Sequence, residues 1–188
     1  MGTSSLRRRA QVLAYRPDLE LLDLRGNLDT RLAKLEAGQY DAVILAGAGI
    51  RRLGREEVIS ALIPKEIVMP AVGQGAIAVE IRKDDSDVSP IVSQFDHPPT
   101  HLSVKAERAF MRELEGGCQV PIGANAVQVE DELELSAVVA DLDGRRVLRV
   151  GRRGSTAAPE ELGVRVAREL WEAGAGEILM EIRAAAGA

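Results

Sequence analysis

Apolar residues recur at helical spacing over residues 5–16, where Leu6, Ala10, Leu13 and Ala14 form one stripe before Pro17 ends the run. Leu19–Leu24 then predicts a short strand. Asn27 stands where a helix N-cap belongs, ahead of Leu28, Leu32 and Leu35, and Gly38 closes that helix. Asp41–Ala46 (DAVILA) is a continuous β-prone run of the kind that parallel sheets bury on both faces. A Gly/Ala turn at 46–49 leads into short helical stretches through Leu62. This alternation predicts an α/β layer with a parallel or mixed sheet, in which ligands gather at the carboxyl ends of strands.

From Pro64 to Gly75 the rhythm breaks, with prolines and glycines around a short apolar run, as in a hinge or a crossing strand. Ala76–Arg82 predicts a further strand, Asp84–Asp87 a polar turn, and Pro90–Phe95 a short helix. The DHPPT stretch marks a boundary. Thr100–Leu114 is an amphipathic helix with Leu102, Ala106, Ala109, Phe110 and Leu114 on one side. Ala124–Val129, Leu133–Ala140 and Arg146–Arg152 predict a three-stranded antiparallel meander. Helices over Pro159–Ala173 and Glu177–Ala186 follow, so the second half is a small α+β unit.

Composition bounds what such a chain does. Its 188 residues suit one or two domains, and 46 % hydrophobic with 28 % charged residues is too apolar for a disordered protein. No apolar run approaches the ~18 residues of a membrane span, and the N-terminus lacks a signal-peptide core. The expectation is a cytoplasmic protein with no membrane partner. A single cysteine, Cys118, forbids an internal disulfide and a multi-cysteine metal site. His97 and His101 are spaced i,i+4, but Pro98 and Pro99 intervene and no metal is expected. Charge is uneven. Residues 1–55 hold ten basic groups against six acidic ones, a net of +4, and the remainder holds 14 against 23, a net of −9. Of the 24 basic residues 20 are arginine, so the cationic chemistry is almost all guanidinium.

The arginines stand at telling places. GTSSLRRR at 2–9 puts hydroxyls and free backbone N–H groups ahead of a helix, a ready anion site. Arg7, Arg8 and Arg9 then fall near the positive end of that helix, where cations are unfavourable by ~0.3–1 kcal/mol each. Arg25 lies in the LRGN turn after a strand, Arg31 in the next helix opening, and Arg51 and Arg52 after the AGAG turn. Converging at strand ends, Arg7, Arg8, Arg25, Arg31 and Arg52 would surround one cavity suited to several carboxylates or phosphates. The alternative is solvated side chains with no ligand. Nucleic acid is disfavoured, because the domain as a whole is not basic and residues 1–55 offer only Tyr15 and Tyr40 for stacking. A dinucleotide site is disfavoured too: Gly47-Ala48-Gly49 lacks its third glycine, with Arg52 in that place, and Gly73-Gln74-Gly75 precedes a predicted strand. Cys118, in LEGGCQVPIG, is either an inert small hydrophobe or a loop-held nucleophile.

Together GTSSLRR, LRGNLDTRL, YDAVILAGAGIRRLG, MPAVGQGA and LEGGCQVPIGA resemble the hydroxymethylbilane synthase (porphobilinogen deaminase) family, in order and spacing, over essentially all 188 residues. The resemblance implies a transferase of tetrapyrrole synthesis. Such an enzyme joins four porphobilinogen units head to tail with loss of ammonia at each step, then frees the linear product by hydrolysis. It implies a periplasmic-binding-protein-like second domain over 1–72, a hinge and a segment returning to the first domain over 73–95, and a cofactor-bearing α+β domain over 96–188.

By the same resemblance Cys118 carries a dipyrromethane cofactor through a thioether. Ser5, Arg7, Arg8, Arg25 and Arg31 bind carboxylates of cofactor and growing chain, and Thr3, Arg52, Gln74 and Gly75 contact incoming porphobilinogen. The family's essential aspartate has no counterpart within residues 1–188, so the chain is expected to begin inside the second domain and to be inactive alone. Full-length members are expected to be monomers, whereas segment 73–95 would here expose apolar surface and promote self-association. Two other classes stay open: a non-catalytic polycarboxylate-binding module of periplasmic-binding-protein-like fold, and a nucleic-acid binder using Arg7–Arg9.

Overall fold

Helix starts in the first third follow the capping residues. Ser5 is extended and its hydroxyl accepts the Arg8 N–H at 3.4 Å, opening α1 (Leu6–Tyr15). Asn27 does the same for α2 (Leu28–Glu36), its Oδ1 accepting the Thr30 N–H at 2.9 Å. A third helix, α3 (Gly47–Arg52), has no side-chain cap. The computed structural model that shows this describes residues 1–115 and 120–187.

Around these helices the expected parallel layer is confined to bridges. Gly2 pairs in parallel with both Leu22 and Val43, through Thr3 N–H to Leu22 O (2.9 Å) and Gly2 N–H to Ala42 O (2.8 Å). The spatial order is therefore segment 21–24, the chain start, then segment 42–45. Val12, Leu21 and Ile44 form the small apolar cluster beneath it.

The larger core lies in the second half. Short helical turns, α4 (Ser89–Val92) and Ser93–Phe95, lead to α5 (Pro98–Glu113). The meander follows as β1 (Ile122–Val129), β2 (Glu132–Ala140) and β3 (Val147–Ser155), all antiparallel in the order β1-β2-β3. Then come α6 (Pro159–Leu170), a wide turn in which Gly174 takes φ 107, and α7 (Gly176–Gly187). Ala124, Leu133, Leu135, Ala137 and Val139 on one sheet face meet Ala106 and Phe110 of α5, Leu114 at its C-cap, and Leu162, Val166 and Leu170 of α6. Each such large side chain contributes about 1.5–3 kcal/mol on burial. Sheet and helices on one face make this half α+β, as the periodicity predicts.

The two halves touch at the free edge of β1 and on the sheet face opposite this core. A backbone bond runs from Ala124 N–H to Pro70 O (3.1 Å), and the β2–β3 turn packs its Gly144 onto α1. That contact explains why β2 ends in a run buried on both faces, Ala137–Ala140.

One predicted element is corrected. Ala76–Arg82 is not a strand: no backbone N–H from Ile77 to Asp84 finds a partner among the described residues, and Ile77 is 96 % exposed. Its apolar alternation is real, but a strand needs a neighbouring edge to pair with. Among the described residues no helix is long and apolar enough to cross a membrane.

Candidate functional site

The chain start is tied down before it turns into α1. Ser4 Oγ donates to Leu24 O (2.8 Å) and accepts the Leu24 N–H (2.9 Å), while Thr3, 2 % exposed, accepts the Ser5 N–H at 3.3 Å. This fixes where Arg7 and Arg8 emerge. Arg8 Nη1 reaches across to Ile44 O at 2.9 Å, at the end of the third parallel segment. Arg7 is buried; it donates to Met69 O and, through Nη2, to Gln74 Oε1 at 3.1 Å. On α2, Arg31 donates its Nε–H to Gly26 O at 2.8 Å, which points its guanidinium back toward the turn.

These cations crowd one another. Burial, with the Arg8 charge adding to it, pulls the Arg7 guanidinium down to about 10, and burial with the Arg31 charge lowers Arg8. No carboxylate among the described residues pairs with Arg7, Arg8 or Arg31, although ten other arginines have acidic partners. A cluster of partly desolvated, unneutralised guanidinium groups is the donor set that a polycarboxylate ligand completes.

The other expected site residues fall differently. Arg25 has an exposed side chain 3.8 Å from Asp23. Arg52 ends α3 in solvent. Gln74 joins the cluster through Arg7, while Gly75 lines a separate cavity beside α5. Cys118 lies outside the described residues. His97 and His101 bond Thr100 Oγ1 (2.8 Å) and Asp96 Oδ1 (3.0 Å), respectively.

Sequence reasoning missed the groups that hold the site in place. Gln11 is 2 % exposed and bonds Met69 in both directions, Nε2 to Met69 O at 3.3 Å and Met69 N–H to Oε1 at 2.9 Å. Arg149 of β3 adds a bond to the same Gln11 Oε1 at 2.9 Å and another to Ile67 O at 3.1 Å. Glu107 is 5 % exposed on α5. The available signal was position: Gln11 stands four residues after Arg7 beside an apolar stripe, and Glu107 sits next to Ala106 on the inward side of its helix.

Two family models cover most of the chain. Residues 1–90 match the porphobilinogen deaminase, dipyromethane cofactor binding domain, and residues 101–172 match the porphobilinogen deaminase, C-terminal domain. The arginine cluster falls in the first and Cys118 in the second. Among curated relatives, the porphobilinogen deaminase of Moorella thermoacetica is 54 % identical over 187 residues, covering 100 % of this chain and 60 % of that protein. That of Carboxydothermus hydrogenoformans is 50 % identical over 183 residues (97 % of this chain, 59 % of that protein), and that of Synechococcus elongatus 51 % over 182 residues (97 % and 57 %). The chain thus spans about 60 % of the length of the relatives it matches. With both domain models in the family's order and half the residues identical along its full length, this chain belongs to the porphobilinogen deaminase family.

Proposed function

We propose that this chain forms the cofactor-bearing, chain-holding part of a hydroxymethylbilane synthase of tetrapyrrole biosynthesis. The observation that carries the reading is the Arg7–Arg8–Arg31 cluster, buried enough to depress two guanidinium groups and without an acidic partner among the described residues. Pyrrole units bearing acetate and propionate arms supply such partners. Dipyrromethane, when bound, supplies a nucleophilic pyrrole carbon as primer; Cys118 is its thioether anchor, by position in LEGGCQVPIG.

The roles of the chain's own residues follow. Arg8 and Arg31 hold carboxylates of cofactor and growing chain. Arg7, with two of its five N–H donors committed, offers the remainder to the same ligand. Ser5 and Thr3 keep the turn in place. Arg25 and Arg52, exposed at neighbouring loop ends, meet later pyrroles and incoming porphobilinogen, and Gln74 and Gly75 contact substrate at the hinge. Residues 1–72 act as the carboxylate-binding domain, of periplasmic-binding-protein-like kind, 73–95 as hinge and crossing segment, and 96–188 as the cofactor-bearing domain. Among the described residues no carboxylate pairs with Arg7, Arg8 or Arg31, and in this reading the chain by itself holds the tetrapyrrole without consuming porphobilinogen.

Intact mass decides the anchor. Chain purified from cells making tetrapyrroles carries an adduct of two pyrrole units, and Cys118→Ser carries none. An equal adduct on Cys118→Ser, or a bare thiol in a chain that also ignores free dipyrromethane, contradicts the reading.

A further inference from the structure

Glu107 lies on the inward side of α5, yet no Lys, Arg or His among the described residues pairs with it. Its two oxygens go to main chain instead: Oε2 accepts the Gly73 N–H at 2.7 Å and Oε1 the Ala126 N–H at 2.8 Å. Gly73 belongs to the segment that crosses from the first half to the second, and Ala126 to β1. A buried carboxylate is costly unless its oxygens are bonded, and bonds to an ionised acceptor are roughly twice as strong as neutral ones.

Packing around that contact is loose. A cavity of about 310 Å³ opens between the Pro70–Ala76 turn, the start of α5 and β1, with Glu107 in its wall. The turn is held to the C-terminal half at three points: Val72 against the core, the Ala124 N–H on Pro70 O, and the Glu107 carboxylate on the Gly73 N–H. Its geometry is specific: Gly73 takes φ +69, and the Gln74 N–H donates to Ala71 O at 3.0 Å. That arrangement brings Gln74 Oε1 under the Ala71 N–H (3.1 Å) and Arg7 Nη2 (3.1 Å) together.

We propose that Glu107 is a positioning residue: by latching the Gly73 N–H it sets the 71–76 turn so that Gln74 meets Arg7 and fixes the direction of its guanidinium. The latch stands on this geometry alone; its consequence for bound carboxylates rests on the tetrapyrrole reading.

The test needs no ligand, so its failure is separable from failure of that reading. In the ¹⁵N-labelled full chain, Glu107→Leu removes both acceptors at similar volume. The latch predicts an increase of about tenfold or more in Gly73 amide exchange, and a displaced Arg7 Nε signal, with the far-UV spectrum retained. A folded Glu107→Leu chain whose Gly73 and Arg7 signals are unmoved overturns the proposal. Gln74→Ala, on the exposed turn, tests the order of dependence even where Glu107→Leu does not fold. There Arg7 shifts while Gly73 stays protected; loss of Gly73 protection in Gln74→Ala overturns it equally.

Discussion

Gln11 and Met69, 58 residues apart, grip each other through a side-chain amide and a peptide: the Met69 N–H donates to Gln11 Oε1 and Gln11 Nε2 donates to Met69 O. Arg7 donates to the same carbonyl and Arg149 to the same amide oxygen, so one buried glutamine joins α1, the crossing segment and β3. The arginine cluster is thereby tied to the sheet of the second half as well as to the segments of the first.

Gln11→Ala leaves the buried Met69 N–H without its acceptor and leaves Arg149 with its bond to Ile67 O alone. An unsatisfied buried donor costs about 1–3 kcal/mol, and the loss of all four Gln11 side-chain bonds places this change near the upper end. Urea unfolding is expected to show about 2–3 kcal/mol of destabilisation. A midpoint unchanged from the parent contradicts the role of Gln11 as the joint.

The docking of the β2–β3 turn on α1 has a separate probe. A Cβ added at Gly144, itself at φ +69, lies 2.2 Å from Ala10 O and 2.6 Å from Ala14 N. Gly144→Ala forces the turn off α1 at a cost of roughly 3 kcal/mol or more. Gly38→Ala is the control: the same left-handed backbone, at φ +71, but nothing within 4 Å. It is expected to cost only about 1 kcal/mol. Equal losses for the two substitutions would mean that the close approach at Gly144 does not exist.

Glu107 makes a pH prediction. Burial lifts its carboxyl above the ordinary value of 4.5, and the Gly73 and Ala126 N–H groups pull it only partly back. A group with a raised folded pKa favours folding fully below its unfolded value and loses that contribution as pH rises through the folded one. The stability of the parent relative to Glu107→Gln is therefore expected to fall as pH climbs from below 4.5 toward neutrality. Urea midpoints measured pairwise across that range check it; a difference that grows with pH reverses the assignment.

Ile77, Val79 and Ile81 stand at alternate positions at 96, 58 and 36 % exposure, in a segment whose backbone N–H groups find no partner among the described residues. Such an edge pairs with another chain. Sedimentation of the parent is expected to show concentration-dependent self-association, which a charge at Ile77→Lys reduces without lowering Tm. A parent that stays monomeric at high concentration refutes the expectation.

Much of this fold was legible because local chemistry decided it. Asn27 caps α2 as its type and place predict, and the alternation of Leu133 and Leu135 announces a sheet face. Ala76–Arg82 misled because its pattern is a strand's while its backbone N–H groups from Ile77 onward find no partner among the described residues. At the site, the clustering of Arg7, Arg8 and Arg31 followed from helix starts and strand-end turns. Arg25 and Arg52 are exposed, and Arg25 stands 3.8 Å from Asp23. Gln11 and Glu107 were illegible as anchors, since what they hold is main chain brought from 58 and 34 residues away, and main chain leaves no mark on side-chain pattern.

The claim that the cluster is a cradle for pyrrole carboxylates is tested most directly by calorimetric titration of the chain with free dipyrromethane bearing acetate and propionate arms. The account predicts saturable one-to-one binding that Arg8→Ala and Arg31→Ala each weaken about tenfold or more, one charged bond being worth about 1.5–3 kcal/mol, while an oligonucleotide of equal charge fails to compete. Absent binding, or binding indifferent to both substitutions, would contradict it.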